Sequence, residues 1–134
     1  MICAVDTNVI LDVLADDPEF GERSERLLAD ALDSGSLVIC ELVYAELAPQ
    51  FETHEALDSA LAAMGARVVE GGIEVAWDAG RRMADYRSAG GSKQRLLADF
   101  YIGAHAAHRA EALLTRDRGF YGTYFPELKL IGGG

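Results

Sequence analysis

Four carboxylates stand where this sequence can use them chemically: Asp6, Glu46, Asp99 and Asp117. Asp6 ends the apolar run Ile2 to Val5, and Asp117 closely follows Ala112-Leu113-Leu114-Thr115. Both runs lack polar alternation, the pattern of strands covered on both faces. Glu46 has Leu42 and Val43 at i−4 and i−3, and Asp99 sits inside Leu96, Leu97, Ala98, Phe100, Tyr101 and Ile102. An ionised carboxylate among such neighbours is costly unless it is paired or metal-bound. Gathered together, like charges raise one another's pKa unless a cation joins them. Oxygen ligands suit a hard cation, Mg²⁺ with Mn²⁺ as a substitute. Thr115 adds a hydroxyl that can orient a carboxylate or a water. Plainer readings compete. Asp6 and Thr7 can simply cap a helix, and Asp99 can pair with Arg95 at i−4. Zinc through His105 and His108 lacks a tetrahedral Cys/His spacing, and His54 has no evident partner.

Bringing these acids together requires a particular chain order. After Asp6, Thr7 and Asn8 are good helix-capping residues, and a helix is expected to about Leu14, broken at Asp16-Asp17-Pro18. A helix over Ser24–Leu32, a strand at Leu37–Cys40 and a helix over Glu41–Gln50 follow. The next elements are a helix over Thr53–Met64 stopped by Gly65, a short strand at Arg67–Glu70 and a helix from about Ile73 to Tyr86. Ser88 to Ser92 reads as a loop. A helix over Gln94–Arg109, a strand at Ala112–Thr115, a possible fifth strand at Leu128–Ile131 and a frayed glycine end complete the chain. Alternating strands and helices predict an α/β protein with a central, mostly parallel sheet of four to five strands flanked by helices. In right-handed βαβ units, helix N-termini share an edge with strand C-termini. Asp6 and Asp117 at strand ends, with Glu46 and Asp99 in first helical turns, are therefore expected to meet.

The 134 residues suit one domain, 1–134, with a real core. No apolar run approaches the ~18 residues of a membrane span, and no basic-then-apolar leader opens the chain, so a cytoplasmic protein is expected. Cys3 and Cys40 fall in separate strands, which disfavours a disulfide and fits a reducing compartment. The net charge of −10 argues at first against nucleic acid. Its distribution softens that, because residues 1–67 hold 14 acidic and 3 basic residues, and residues 68–134 hold 8 acidic and 9 basic ones. Arg81, Arg82, Arg87, Lys93 and Arg95 cluster, and Arg116 and Arg118 bracket Asp117. Such a run is often only a solvated helix face; the alternative is a path for RNA.

These residues resemble a known family. Asp6-Thr7-Asn8, Tyr44-Ala45-Glu46-Leu47, the stretch Leu97 to Ala106, and Thr115 to Tyr121 are similar, in order and spacing, to the motifs of PIN-domain ribonucleases. The nearest kinship is with VapC toxins of type II toxin-antitoxin pairs. The resemblance implies a PIN-like three-layer fold and a metal-dependent endoribonuclease. It makes Asp6, Glu46, Asp99 and Asp117 the metal-binding acids, with Thr115 catalytic and Thr7 and Asn8 in support. It further implies a homodimer and a cognate antitoxin that occupies the site. Cys40-Glu41 departs from the serine or threonine frequent at that helix start, and leaves Glu41 as an extra acidic neighbour. A receiver domain would need a phospho-acceptor aspartate after the third strand, where Glu70-Gly71-Gly72 stands. A haloacid dehalogenase-type phosphatase needs aspartate where Asn8 stands. A PIN-like module that binds RNA or protein without cutting remains the alternative from another class.

Overall fold

A computed structural model describes residues 1–132. Five short strands, β1 (Ile2–Val5), β2 (Ser36–Ile39), β3 (Ala66–Val68), β4 (Ala112–Leu114) and β5 (Lys129–Ile131), form one sheet in the order β3-β2-β1-β4-β5. Every pairing is parallel, with Cys3 opposite Leu37 on one side and Ala112 on the other. The sequence expectation of a mostly parallel sheet is thus met by a wholly parallel one. β1, β2 and β4 are the apolar runs, and helices on both faces take their side chains out of water. The chain leaves β1 toward β2 on one side and returns to β4 on the other. The β1/β4 boundary is therefore the switch point, where a crevice opens beyond the strand ends.

Seven helices among the described residues carry the crossovers: α1 (Thr7–Leu14), α2 (Gly21–Ser34), α3 (Glu41–Leu47), α4 (His54–Met64), α5 (Ile73–Ser88), α6 (Leu97–Arg109) and α7 (Arg118–Tyr124). Thr53 caps α4 by accepting from the Ala56 N–H, and Gly65 ends it in the left-handed region at φ 76°. α5 and α6 pack antiparallel, since Tyr86 stacks against Phe100 at one end and Asp78 meets His108 at the other. The α5 C-terminus, the loop after it and the start of α6 consequently lie together.

Several boundaries differ from the sequence expectation. α6 begins at Leu97 instead of Gln94, which leaves Arg95 in the preceding loop. α7 is an element that the sequence did not suggest, because Arg118-Gly119-Phe120-Tyr121-Gly122 is short and carries two poor helix formers. α3 stops at Leu47 and passes into a 3₁₀ turn, Ala48–Gln50, around Pro49. Of the glycine end expected to fray, Gly132 accepts from Arg118, and residues 133–134 lie outside those described. Cys3 and Cys40 are free, buried thiols. Burial pushes the Cys40 thiol up to about 11, so it packs as a small hydrophobe.

Candidate functional site

The switch-point crevice is built upward from β1. The Asp6 N–H donates to the Leu114 carbonyl at 2.9 Å, extending the β1/β4 ladder to the base of the site. Asp6 is the N-cap of α1 by backbone position, yet its side chain makes no capping hydrogen bond. It accepts instead from the Thr115 hydroxyl at 2.8 Å and from the Asn8 amide at 3.3 Å. Thr115 also accepts the Asp117 N–H at 2.9 Å. One hydroxyl thus ties the Asp6 carboxylate to the Asp117 backbone. On the other flank, the Thr7 hydroxyl donates to Glu46 at 2.6 Å.

Asp6 is 7% exposed, and no basic side chain among the described residues hydrogen-bonds to it or forms an ion pair with it. Its carboxyl is pushed up to about 6, mainly by burial, against the Thr115 bond and the Thr7 N–H, with the charges of Asp99 and Glu46 raising it further. The buried Tyr121 phenol is likewise held far above its ordinary value by burial, and then by Asp6, Asp99 and Asp117. Asp99 and Glu46 thus bear on Asp6, and Asp6, Asp99 and Asp117 bear on Tyr121, through their charges. These acids do not stand in a finished ligand shell: no three His, Cys, Asp or Glu side chains among the described residues are grouped closely enough to hold a metal ion.

Each acid arrives by a different route. Glu46 lies in the last turn of α3, not the first as expected, and its longer side chain spans the gap to Thr7. Asp99 is in the first turn of α6, where it accepts the Leu96 N–H at 3.0 Å and so anchors the helix start. Asp117 receives the Arg95 guanidinium at 2.6 Å. That contact stands in place of the Arg95–Asp99 pair at i−4 weighed as a plainer reading, which required Arg95 to be helical. The chemistry of the donor set fits a hard divalent cation: carboxylate oxygens, a buried acid lacking a cationic partner, and hydroxyls that fix orientation.

The expected basic path is partly internal structure. Arg82 hydrogen-bonds Asp78, the Tyr124 carbonyl and Glu127, and lies 4.2 Å over the Phe125 ring. Arg116 clasps Asp12 through Nε and Nη2 at 2.7 and 3.0 Å while stacking on Phe20. Neither is the free cation the sequence suggested. Arg81 stacks loosely over the exposed Trp77, midway along α5. Arg87 at the end of α5, Lys93 in the following loop and Arg118 just after Asp117 are exposed, Arg118 donating to the Gly132 carbonyl.

Other residues are accounted for locally. Glu41 turns to the Gly71 N–H, away from the extra acidic role considered for it. His105 donates to the Val69 carbonyl and His108 to Asp78, so each has a protein partner in place of zinc. His54 pairs with Asp58 at 2.7 Å, a partner one helical turn away that the sequence reading overlooked. Asp12 was overlooked as well. Its signal was the one that marked Asp99, an acid inside an apolar helical series.

A parallel, doubly wound sheet with carboxylates at the ends of two of its strands defines an α/β protein with an acidic switch point. The chain belongs to the PIN domain family, whose model matches residues 3–126. It is also similar to solved structures. VapBC2 from Rickettsia felis bound to a promoter DNA fragment matches with TM-score 0.68 at 21% identity, over 98% of both chains. VapBC-1 from nontypeable Haemophilus influenzae matches with TM-score 0.71 at 20% identity, covering 98% of this chain and 97% of that one. FitAcB from Neisseria gonorrhoeae matches with TM-score 0.64 at 23% identity, with the same coverage as VapBC-1. At these identities the likeness establishes the shared fold. No curated protein matches the chain. No helix among the described residues is long and apolar enough to cross a membrane.

Proposed function

We propose that this chain is a metal-dependent endoribonuclease and the toxin of a type II toxin-antitoxin pair, held inactive by a cognate antitoxin. The observation that carries the reading is Asp6, buried without a cationic partner beside Asp99 and Glu46 at the switch point. Retaining such a carboxylate costs stability unless a cation repays it. PIN family membership and structural likeness to VapBC and FitAB assemblies support the toxin and antitoxin parts of the reading. A homodimer working in the cytoplasm completes it.

In this reading Asp6, Glu46, Asp99 and Asp117 hold Mg²⁺, or Mn²⁺ in its place. The cation would lower the pKa of a water and offset charge on the leaving oxygen of a phosphodiester. The chain's own contribution is orientation. Thr115 fixes Asp6 and the Asp117 backbone with one hydroxyl, and Asn8 donates to the same Asp6 oxygen, Oδ2. Thr7 aims Glu46, and the buried Tyr121 helps to wall the floor of the site from water. RNA would approach over the exposed cations Arg87, Lys93 and Arg118.

A non-catalytic RNA- or protein-binding module is the second reading, favoured by the Arg95–Asp117 pair that already neutralises one acid. Cleavage of mixed cellular RNA with Mg²⁺ or Mn²⁺ separates the two. Discrete fragments from wild type that vanish with chelator and in Asp99→Asn are expected. RNA left intact by wild type, together with retained RNA or partner binding, would establish the module.

A further inference from the structure

We propose that Arg95 is an internal counter-ion of the acidic site, holding Asp117 until a divalent cation displaces it. The inference rests on the metal-site reading above and adds a competitor to it. Arg95 lies two residues before α6, in the loop that follows α5. Its Nη1 donates to Asp117 Oδ2 at 2.6 Å, and its guanidinium lies 4.4 Å over the Phe120 ring. Asp117 is its principal charge partner, and Asp99 adds to the attraction. The guanidinium thus occupies the acid-lined space from one side.

Two features make this pair displaceable. Arg95 and Asp117 are joined by one contact and are each 34% exposed, so water competes for both. The Arg116–Asp12 pair is different, since a two-pronged contact secures a carboxylate only 5% exposed. Charge balance points the same way. Asp6, Glu46, Asp99 and Asp117 present four formal negative charges, of which Arg95 offsets one. A divalent ion brings more charge at closer range to the same oxygens. While Arg95 stays, it repels that ion and holds Asp117 toward itself. Once displaced, it is left on a loop at the edge of the site, a free cation beside the path proposed for RNA.

Mn²⁺ titration of the full chain, followed by the electron paramagnetic resonance of free Mn²⁺, tests this without any cleavage assay. Arg95→Gln should bind Mn²⁺ roughly three- to tenfold more tightly than wild type. Arg95→Lys keeps the charge and should remain near wild type, while Asp6→Asn should bind much more weakly. A second reading uses wild type alone: the Arg95 guanidinium NMR signals should move as Mg²⁺ is added. Unchanged or weaker Mn²⁺ binding by Arg95→Gln, with Asp6 dependence intact, overturns the counter-ion and leaves the metal site standing. Arg95 signals that stay fixed at saturating Mg²⁺ do the same. No Mn²⁺ binding by wild type or Arg95→Gln overturns both.

Discussion

Asp6 and Asp12 are two buried carboxylates six residues apart, and the fold treats them in opposite ways. Asp12 is 4% exposed and receives both the Arg116 guanidinium and the Ser24 hydroxyl at 2.7 Å. Asp6 is 7% exposed and receives a hydroxyl and an amide, neither of which carries charge. Burial is the same; compensation is not. Asp12 closes a structural clasp among α1, α2 and the strand-end segment that carries Asp117. Asp6 keeps an unanswered charge at the switch point, and that difference separates a site from a staple.

The sharpest way to break the comparison is to neutralise each acid in turn. Asp6→Asn should reduce RNA cleavage by more than about 100-fold, since even partners one step removed from a metal cost up to that much. The measurement is single-turnover cleavage in Mg²⁺, and retained activity would remove Asp6 from the reaction. Asp12→Ala acts on stability instead, because it leaves Arg116 without its partner and opens a gap. A loss of about 2–4 kcal/mol in urea unfolding is expected, moderated by the partial exposure of Arg116.

The pH dependence of Asp6 sharpens the same contrast. A folded pKa raised to about 6 means that the protonated form favours the folded state. Its stabilising contribution is complete below the ordinary carboxylate range and is lost as pH rises through about 6. In metal-free protein, Asp6→Asn should gain on wild type by roughly 2–3 kcal/mol between pH 4 and pH 7. Mn²⁺ should close that gap at pH 7 and have little effect at pH 5. A gap independent of pH would show that Asp6 is not the strained group.

Smaller effects mark the limits of the argument. A Cβ at Gly103 would stand 2.4 Å from the Phe125 ring, so Gly103→Ala must shift that ring, which Arg82 covers from above. About 1–3 kcal/mol of destabilisation is expected by thermal melting. His54→Ala removes a pair in which the side chains are 73% and 50% exposed, and a change within about 0.5 kcal/mol is expected from the same assay.

Much of this was legible in the chain itself. Continuous apolar runs marked β1, β2 and β4, alternation with helices implied the parallel sheet, and topology placed Asp6, Asp99 and Asp117 at strand ends and a helix start, whereas Glu46 reaches Thr7 from the last turn of α3 and not from the first. Those inferences rest on local periodicity and on the fixed hand of βαβ units, both of which a sequence carries. The short helix α7 escaped, because two glycines mask a segment stabilised by the aromatic packing of Phe120, Tyr121 and Phe125.

What only the tertiary structure decided was the partner of each charge. Arg82, Arg95 and Arg116 look alike in sequence, three cations in a basic stretch. In the fold one joins α5 to the α7–β5 turn, one neutralises Asp117 from a loop, and one clasps Asp12 across more than 100 residues. Asp6 and Asp12 are equally alike before folding. Residue type fixes how much a charge costs to bury, whereas only the three-dimensional path of the chain determines whether a counter-charge stands within reach.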